Sequence, residues 1–241
     1  QKILTVVFGL GLYFAFGVDG IIFGLVLSYI PYIWIIVKEF KNTRIDFSLL
    51  KPRKGFIINN YGINVTGAVG GQIDKLLIAP ILGFELLGNY SLAMQFLVIL
   101  LLFPTIIFKY LLPQDASGKN TENLKRNSVF VSIGLAVFGI VVLPLIIPVL
   151  FPKFIDTIIA IQIVSVVVIP ATIQVFYESK LLALEKGKFP IISKSIGIIA
   201  LVSGFLILGP MYGMIGLAVA FVISATLQTV FITIASRTIR H

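Results

Sequence analysis

Long stretches in which nearly every position is apolar alternate along the chain with short clusters of charge. Runs such as "FLVILLLFPTIIF" and "IGLAVFGIVVLPLIIPVL" are apolar on all sides, the signature of helices surrounded by lipid or protein rather than by water. A membrane β-barrel would instead alternate apolar and polar residues in segments of about ten. Eight spans are predicted, at about residues 3–18, 20–37, 56–80, 88–112, 128–150, 156–182, 190–209 and 213–235, most of them near the ~20 residues a helix needs to cross a bilayer. The expected fold class is therefore all-α, a polytopic membrane protein.

Composition agrees: 58% of residues are hydrophobic, 12% are charged, and the mean hydropathy is +1.07, whereas soluble domains carry about 25% charged residues. Charge then sets an orientation. With both chain ends cytoplasmic, every Lys and Arg among the 19 except Lys75 and Lys153 falls on the inner side, as the positive-inside rule requires. The formal net charge of +9 is accounted for by these loops without nucleic acid, and the loop "KEFKNTRIDFSLLKPRK" suits anionic headgroups. The chain has no cysteine, which removes disulfides, thiol nucleophiles and thiolate metal sites. The first apolar run is short enough, about 16 residues behind Lys2, to resemble a signal peptide.

An internal repeat argues against that reading. "GVDGIIFGLVLS" at 17–28 and "GMIGLAVAFVIS" at 213–224 align Gly17, Gly20, Gly24 and Ser28 with Gly213, Gly216, Ala220 and Ser224, at offsets of 3, 4 and 4. These offsets place four small side chains on one helix face, where another helix backbone can come close. The hairpin 3–37 thus reads as a copy of the hairpin 199–235. Four spans precede the second copy, so four are expected upstream of the first. The expected parent has two six-helix bundles. Residues 1–37 would be the last hairpin of the first, 38–55 a basic cytoplasmic loop between lobes, and 56–241 the second bundle.

In "GGQIDKLLIAPILG", residues 70–83, Asp74 and Lys75 stand in an apolar run, at a cost of about 2.5–3.5 kcal/mol each if central in the membrane. The eleven Leu, Ile, Phe and Val residues of 56–81 return roughly 3–7 kcal/mol, before Asn59, Asn60, Asn64 and Gln72 are counted. Such a span must face protein or water. Stepping back from Asp74 by three and four meets Gly70, Gly67, Ile63 and Asn60 or Asn59, a stripe expected to line the bundle interior. Lys75 points about 100° away and snorkels outward. Two roles are open to Asp74: a packing carboxylate bonded to neighbouring spans, or a proton, cation or substrate site in a central cavity.

The wording "QIDKLLIAPILGFELLGNYSLAMQF", with "LLFPTIIF", "VLFPKF", "ALEKGKFPIISKSIG" and "PMYGMIGLAVAFVIS" following in order, resembles the lipid-linked oligosaccharide flippases of the multidrug/oligosaccharidyl-lipid/polysaccharide exporter superfamily. The resemblance covers residues 3–235. It implies two six-helix bundles in pseudo-twofold relation around a cavity that opens alternately to each side of the cytoplasmic membrane, and a polyprenyl-linked oligosaccharide as substrate, moved without chemistry or cofactor, with glycan-assembly enzymes as partners. A diphosphate prefers Lys or Arg, so the resemblance makes Lys75, Lys109, Lys180 and Lys194 candidates. Gln174 with Glu178, and Ser91 with Gln95, are one turn apart and either line the cavity or join helices. Pro104, Pro144, Pro148 and Pro170 lie within spans, where a missing N–H permits a kink.

Rival functions are weaker. His241 is the sole histidine, there is no HExxH, and "DASGKN" lacks the first Gly and the Ser or Thr of a phosphate loop, so enzyme motifs are missing. A membrane glycosyltransferase would need Asp74, Asp156 and Glu178 in a spacing that no catalytic pattern matches. An exporter of the same superfamily would use Asp74 to couple an ion. A non-transporting scaffold is the third reading. "NYS" at Asn89 reads either as a helix start or as a glycosylation sequon.

Overall fold

The computed structural model describes residues 2–42, 54–70 and 72–238, leaving out the side chains of residues 42, 56, 59, 60 and 68–70. Described residues form helices and turns and no strand. Among the described residues, five helices are long and apolar enough to cross a membrane: Lys2–Lys41, Phe84–Ala116, Glu122–Val141, Thr157–Ala183 and Lys188–Thr238. The chain is a multi-pass membrane protein. It separates into two compact units, Gln1–Arg53 and Lys54–His241. Most of the basic loop expected at 38–55 lies outside the described residues.

The first unit holds α1 (Lys2–Leu27) and α2 (Ile30–Asn42). Gly17 interrupts α1 with φ 62° and ψ −140°, a conformation that side-chain-bearing residues rarely adopt. The chain doubles back there: a Cβ on Gly20 would strike the Leu12 carbonyl, one on Gly24 the backbone of Phe8 and Gly9, and the Thr5 hydroxyl donates to Ser28 Oγ at 2.9 Å. The helix breaks again before α2 because Pro31 has no N–H for the Leu27 carbonyl; Tyr32 and Ile33 both donate to Tyr29 O instead.

The second unit runs α3 (Lys54–Gly70), α4 (Ile73–Leu82), α5 (Phe84–Leu100), α6 (Leu102–Ala116), α7 (Glu122–Val141), α8 (Leu143–Leu150), a 3₁₀ turn at Pro152–Phe154, α9 (Thr157–Ser165), α10 (Val168–Ala183) and α11 (Lys188–Thr238). The expected span 56–80 is not one helix but α3 and α4. Gln72, immediately before α4, is non-helical at φ −127° and ψ −18°, so the stripe counted through Gly70 and Gly67 does not continue to Asp74. Similar breaks precede prolines. Pro104 follows the α5–α6 junction and Pro170 the α9–α10 junction. Pro144 follows the α7–α8 junction and leaves the Ile140 carbonyl without its helical donor, and Gln162 Nε2 of α9 supplies one at 3.1 Å.

Straight, the 51 residues of α11 would extend about 77 Å, more than twice a ~30 Å hydrocarbon core. Gly213, with φ 55° and ψ −129°, folds it into two arms, 188–212 and 214–238. A Cβ on Gly216 would strike the Leu208 carbonyl, and one on Gly204 would strike Ala220. The arms are joined by Ser193 Oγ to Gln228 O (2.9 Å) and Ser224 Oγ to Gly197 O (2.8 Å). Gly17 and Gly213, aligned by sequence, therefore share one backbone conformation, and Gly20 and Gly216 each face the carbonyl eight residues earlier. Lipid is as apolar as Leu, so such contacts hold helices together by close packing rather than by hydrophobic exclusion.

Two buried clusters form the interior of this unit. One joins Ala93, Leu97, Ile147, Ile161 and Val164 across α5, α8 and α9. The other joins Ile78 of α4, Tyr90 of α5, and Leu201, Phe205 and Leu217 from both arms of α11.

Candidate functional site

Ending α3 at Gly70 makes Asp74 a first-turn residue of α4, where a carboxylate meets the positive end of the helix dipole. Its side chain is buried, at 4% exposure. Oδ1 accepts from the Lys75 backbone N–H at 2.8 Å, and Oδ2 accepts from the Tyr90 hydroxyl at 3.0 Å. Tyr90 is itself buried and meets Phe205 edge to face, with centroids 5.7 Å apart. Both oxygens of Asp74 are thus engaged, one with its own helix and one with α5. Lys75 is exposed and does not pair with Asp74, which agrees with adjacent residues facing apart on a helix. Burial without loss of hydrogen bonds is what makes a charge tolerable at this position.

A second polar group lies between α10 and α11. Lys194 Nζ is 3.2 Å from Glu178 Oε1, with side chains 25% and 11% exposed. Lys194 also lines a crevice of about 200 Å³ with Thr66, Ser224 and Gln228. Gln228 Nε2 donates to Ser224 Oγ at 3.4 Å, and Gly197 leaves the space that the Gln228 side chain fills. Such a pair, in a polar crevice between helices, can exchange partners when the helices shift or a ligand enters.

A third cluster centres on Asp115, which sequence reading passed over. Oδ1 accepts from Thr121 Oγ1 (3.2 Å) and Lys125 Nζ (3.3 Å), and Oδ2 from Ser179 Oγ (2.6 Å). One carboxylate therefore ties the end of α6 to the start of α7 and to α10. Its only sequence signal is a charge closing an apolar run, two residues after Pro113.

The expected pathway residues do not converge. Asp74 sits in the α4–α5–α11 cluster, Glu178 beside Lys194, and Lys180 in a cavity near Asp115. Gln174 is half-buried on α10, while Asn64, Gln72, Lys75, Gln95 and Lys109 are exposed on the surface. The Asn60 side chain lies outside those described. Asn89 is within α5 rather than at its start; its Nδ2 donates to Glu85 O (3.3 Å) and its Oδ1 accepts from Thr157 (3.0 Å), so it joins α5 to α9. No group of three metal-ligating side chains occurs among the described residues.

The chain is 26% identical, over an alignment of 242 positions, to the protein named "Probable flippase AglR" of Haloferax volcanii. The alignment covers 90% of this chain and 49% of that protein, so the chain spans about half the length of the relative it matches. No family model matches the chain, and no solved structure matches it.

Proposed function

We propose that the chain forms part of a flippase that carries a polyprenyl-linked oligosaccharide from the inner to the outer leaflet of the cytoplasmic membrane by alternating access. The observation that carries this reading is likeness to a probable flippase along nine-tenths of the chain, in a protein with several membrane-crossing helices. The recurrent glycine hairpin supports the two-lobe arrangement. In that arrangement 1–37 closes a first six-helix bundle, 56–241 forms the second, and both ends are cytoplasmic. Eight passes follow if α1 with α2 count as two, α3 with α4, α5 with α6, α7 with α8 and α9 with α10 as one each, and the folded α11 as two.

On this reading transport involves binding and helix movement, with no covalent step. Glu178 and Lys194 are the pair best placed to respond, because Lys194 already faces both a carboxylate and a polar crevice; an incoming anionic group would compete with Glu178 for it. Asp74 serves as a positioning residue that holds α4 to α5. The test is genetic. Cells lacking the protein should accumulate the lipid-linked sugar in the inner leaflet and recover when the protein is restored; unchanged lipid-linked sugar pools would sink the proposal.

A further inference from the structure

Two turns that are far apart in sequence meet at one end of the second unit: that between α6 and α7, and that following α10. Around the open pocket between them, of about 390 Å³, stand Asp115, Lys119, Thr121, Glu122, Lys125 and Lys180. Charge is distributed unevenly among them. Asp115 is committed to Thr121, Lys125 and Ser179, and Glu122 lies in the first turn of α7, where it offsets the helix dipole. Lys119 and Lys180 have no ion-pair partner among the described residues. Arg126 near the start of α7, Lys186 in the turn after α10 and Lys188 at the start of α11 flank these turns in sequence, against Glu185, so the surroundings add positive charge.

The cavity opens where the apolar helices α6 and α10 end, and the ends of helices that cross a bilayer fall in its headgroup region. We infer that this cavity binds the phosphate group of a membrane lipid, with Lys119 and Lys180 as its direct partners and Asp115 as the strut that fixes Lys125 and the turn beside them. The inference does not depend on the chain being a flippase. Its ligand chemistry is a phosphate ester anchored in the bilayer, found on anionic phospholipids and on polyprenyl diphosphate carriers alike.

The test uses the purified full chain in detergent micelles, with native mass spectrometry counting retained lipid. Phosphatidylglycerol and a polyprenyl diphosphate are titrated separately, with phosphatidylcholine as the reference. One saturable molecule per chain is expected, and Lys119→Gln/Lys180→Gln should weaken it about 30-fold, which is about 2 kcal/mol at 1.4 kcal/mol per tenfold and about 1 kcal/mol per lysine near a lipid surface. Lys119→Arg/Lys180→Arg should retain binding, and Lys153→Gln, elsewhere on the surface, should leave it unchanged. Displacement of phosphatidylglycerol by the polyprenyl diphosphate assigns the site to the carrier lipid; failure to displace it assigns the site to phospholipid headgroups. Equal retention of phosphatidylcholine, or undiminished binding in a double Gln variant of normal helix content, would overturn the inference.

Discussion

Removing one oxygen atom tests whether Asp74 is held as a positioning residue. Tyr90→Phe keeps the ring against Phe205 and deletes the hydroxyl that donates to Asp74 Oδ2 at 3.0 Å. A hydrogen bond to a charged group is worth about 1.5–3 kcal/mol, and a buried acceptor left without a donor is the expensive half of that loss. At 4% exposure Asp74 cannot recover the bond from solvent. The expected destabilisation is about 2 kcal/mol, read as a lowered unfolding midpoint in denaturing detergent. Asp74→Asn, which can still accept from Tyr90, should cost less. In the double variant Asp74→Asn/Tyr90→Phe the losses should be less than additive, because the partners share one bond. A Tyr90→Phe loss below about 0.5 kcal/mol, or full additivity, would show that the hydroxyl contact contributes nothing and that Asp74 is held by other means.

Three further outcomes follow from the same geometry. Gly213→Ala places a Cβ on a backbone with φ 55° and should destabilise by about 1–3 kcal/mol in the same detergent unfolding assay, with Gly17→Ala behaving alike; no change in either would remove the shared hairpin geometry. Asp115→Ala leaves Lys125, Thr121 and Ser179 without their common acceptor and should cost about 3 kcal/mol, measured by thermal unfolding, whereas Lys125→Ala, losing one contact, should cost less. Because the chain has no native cysteine, single Cys substitutions at Lys119, Lys186 and Lys153 can be probed with a membrane-impermeant maleimide; the first two should label from the cytoplasmic side and the third from the outside, and labelling of all three from one side would refute the proposed orientation.

Helical class and apolar spans were legible because lipid leaves a strong compositional record: any segment crossing it must be apolar and satisfy its own backbone. The glycine repeat was also legible, since close helix approach admits only small side chains. The reversal at Gly213 and its match at Gly17 gave that repeat a geometric meaning that spacing alone does not carry. Break points were harder. Pro144 and Pro104 announce lost N–H groups, yet where the helix parts depends on what takes the freed carbonyl, and the Gln162 amide comes from another helix. The interruption at Gln72 was hidden by the apolar residues on both sides, and the stripe drawn from Asp74 back to Asn60 presumed a continuous helix. Partners distant in sequence were the least legible. Nothing near Asp74 points to Tyr90, nothing near Glu178 points to Lys194, and Asp115 reads as a loop residue until Ser179 of α10 is brought beside it.

Reconstitution measures the proposed lipid transport directly. The full protein carrying this chain is placed in vesicles with a fluorescent polyprenyl-diphosphate sugar, and the rate at which inner-leaflet probe reaches an external quencher is recorded. Quenching beyond the outer-leaflet fraction is expected at a rate well above that of protein-free vesicles, slowed by Lys194→Gln in protein of normal stability. A rate equal to that of protein-free vesicles, from protein that is folded and inserted, would contradict it.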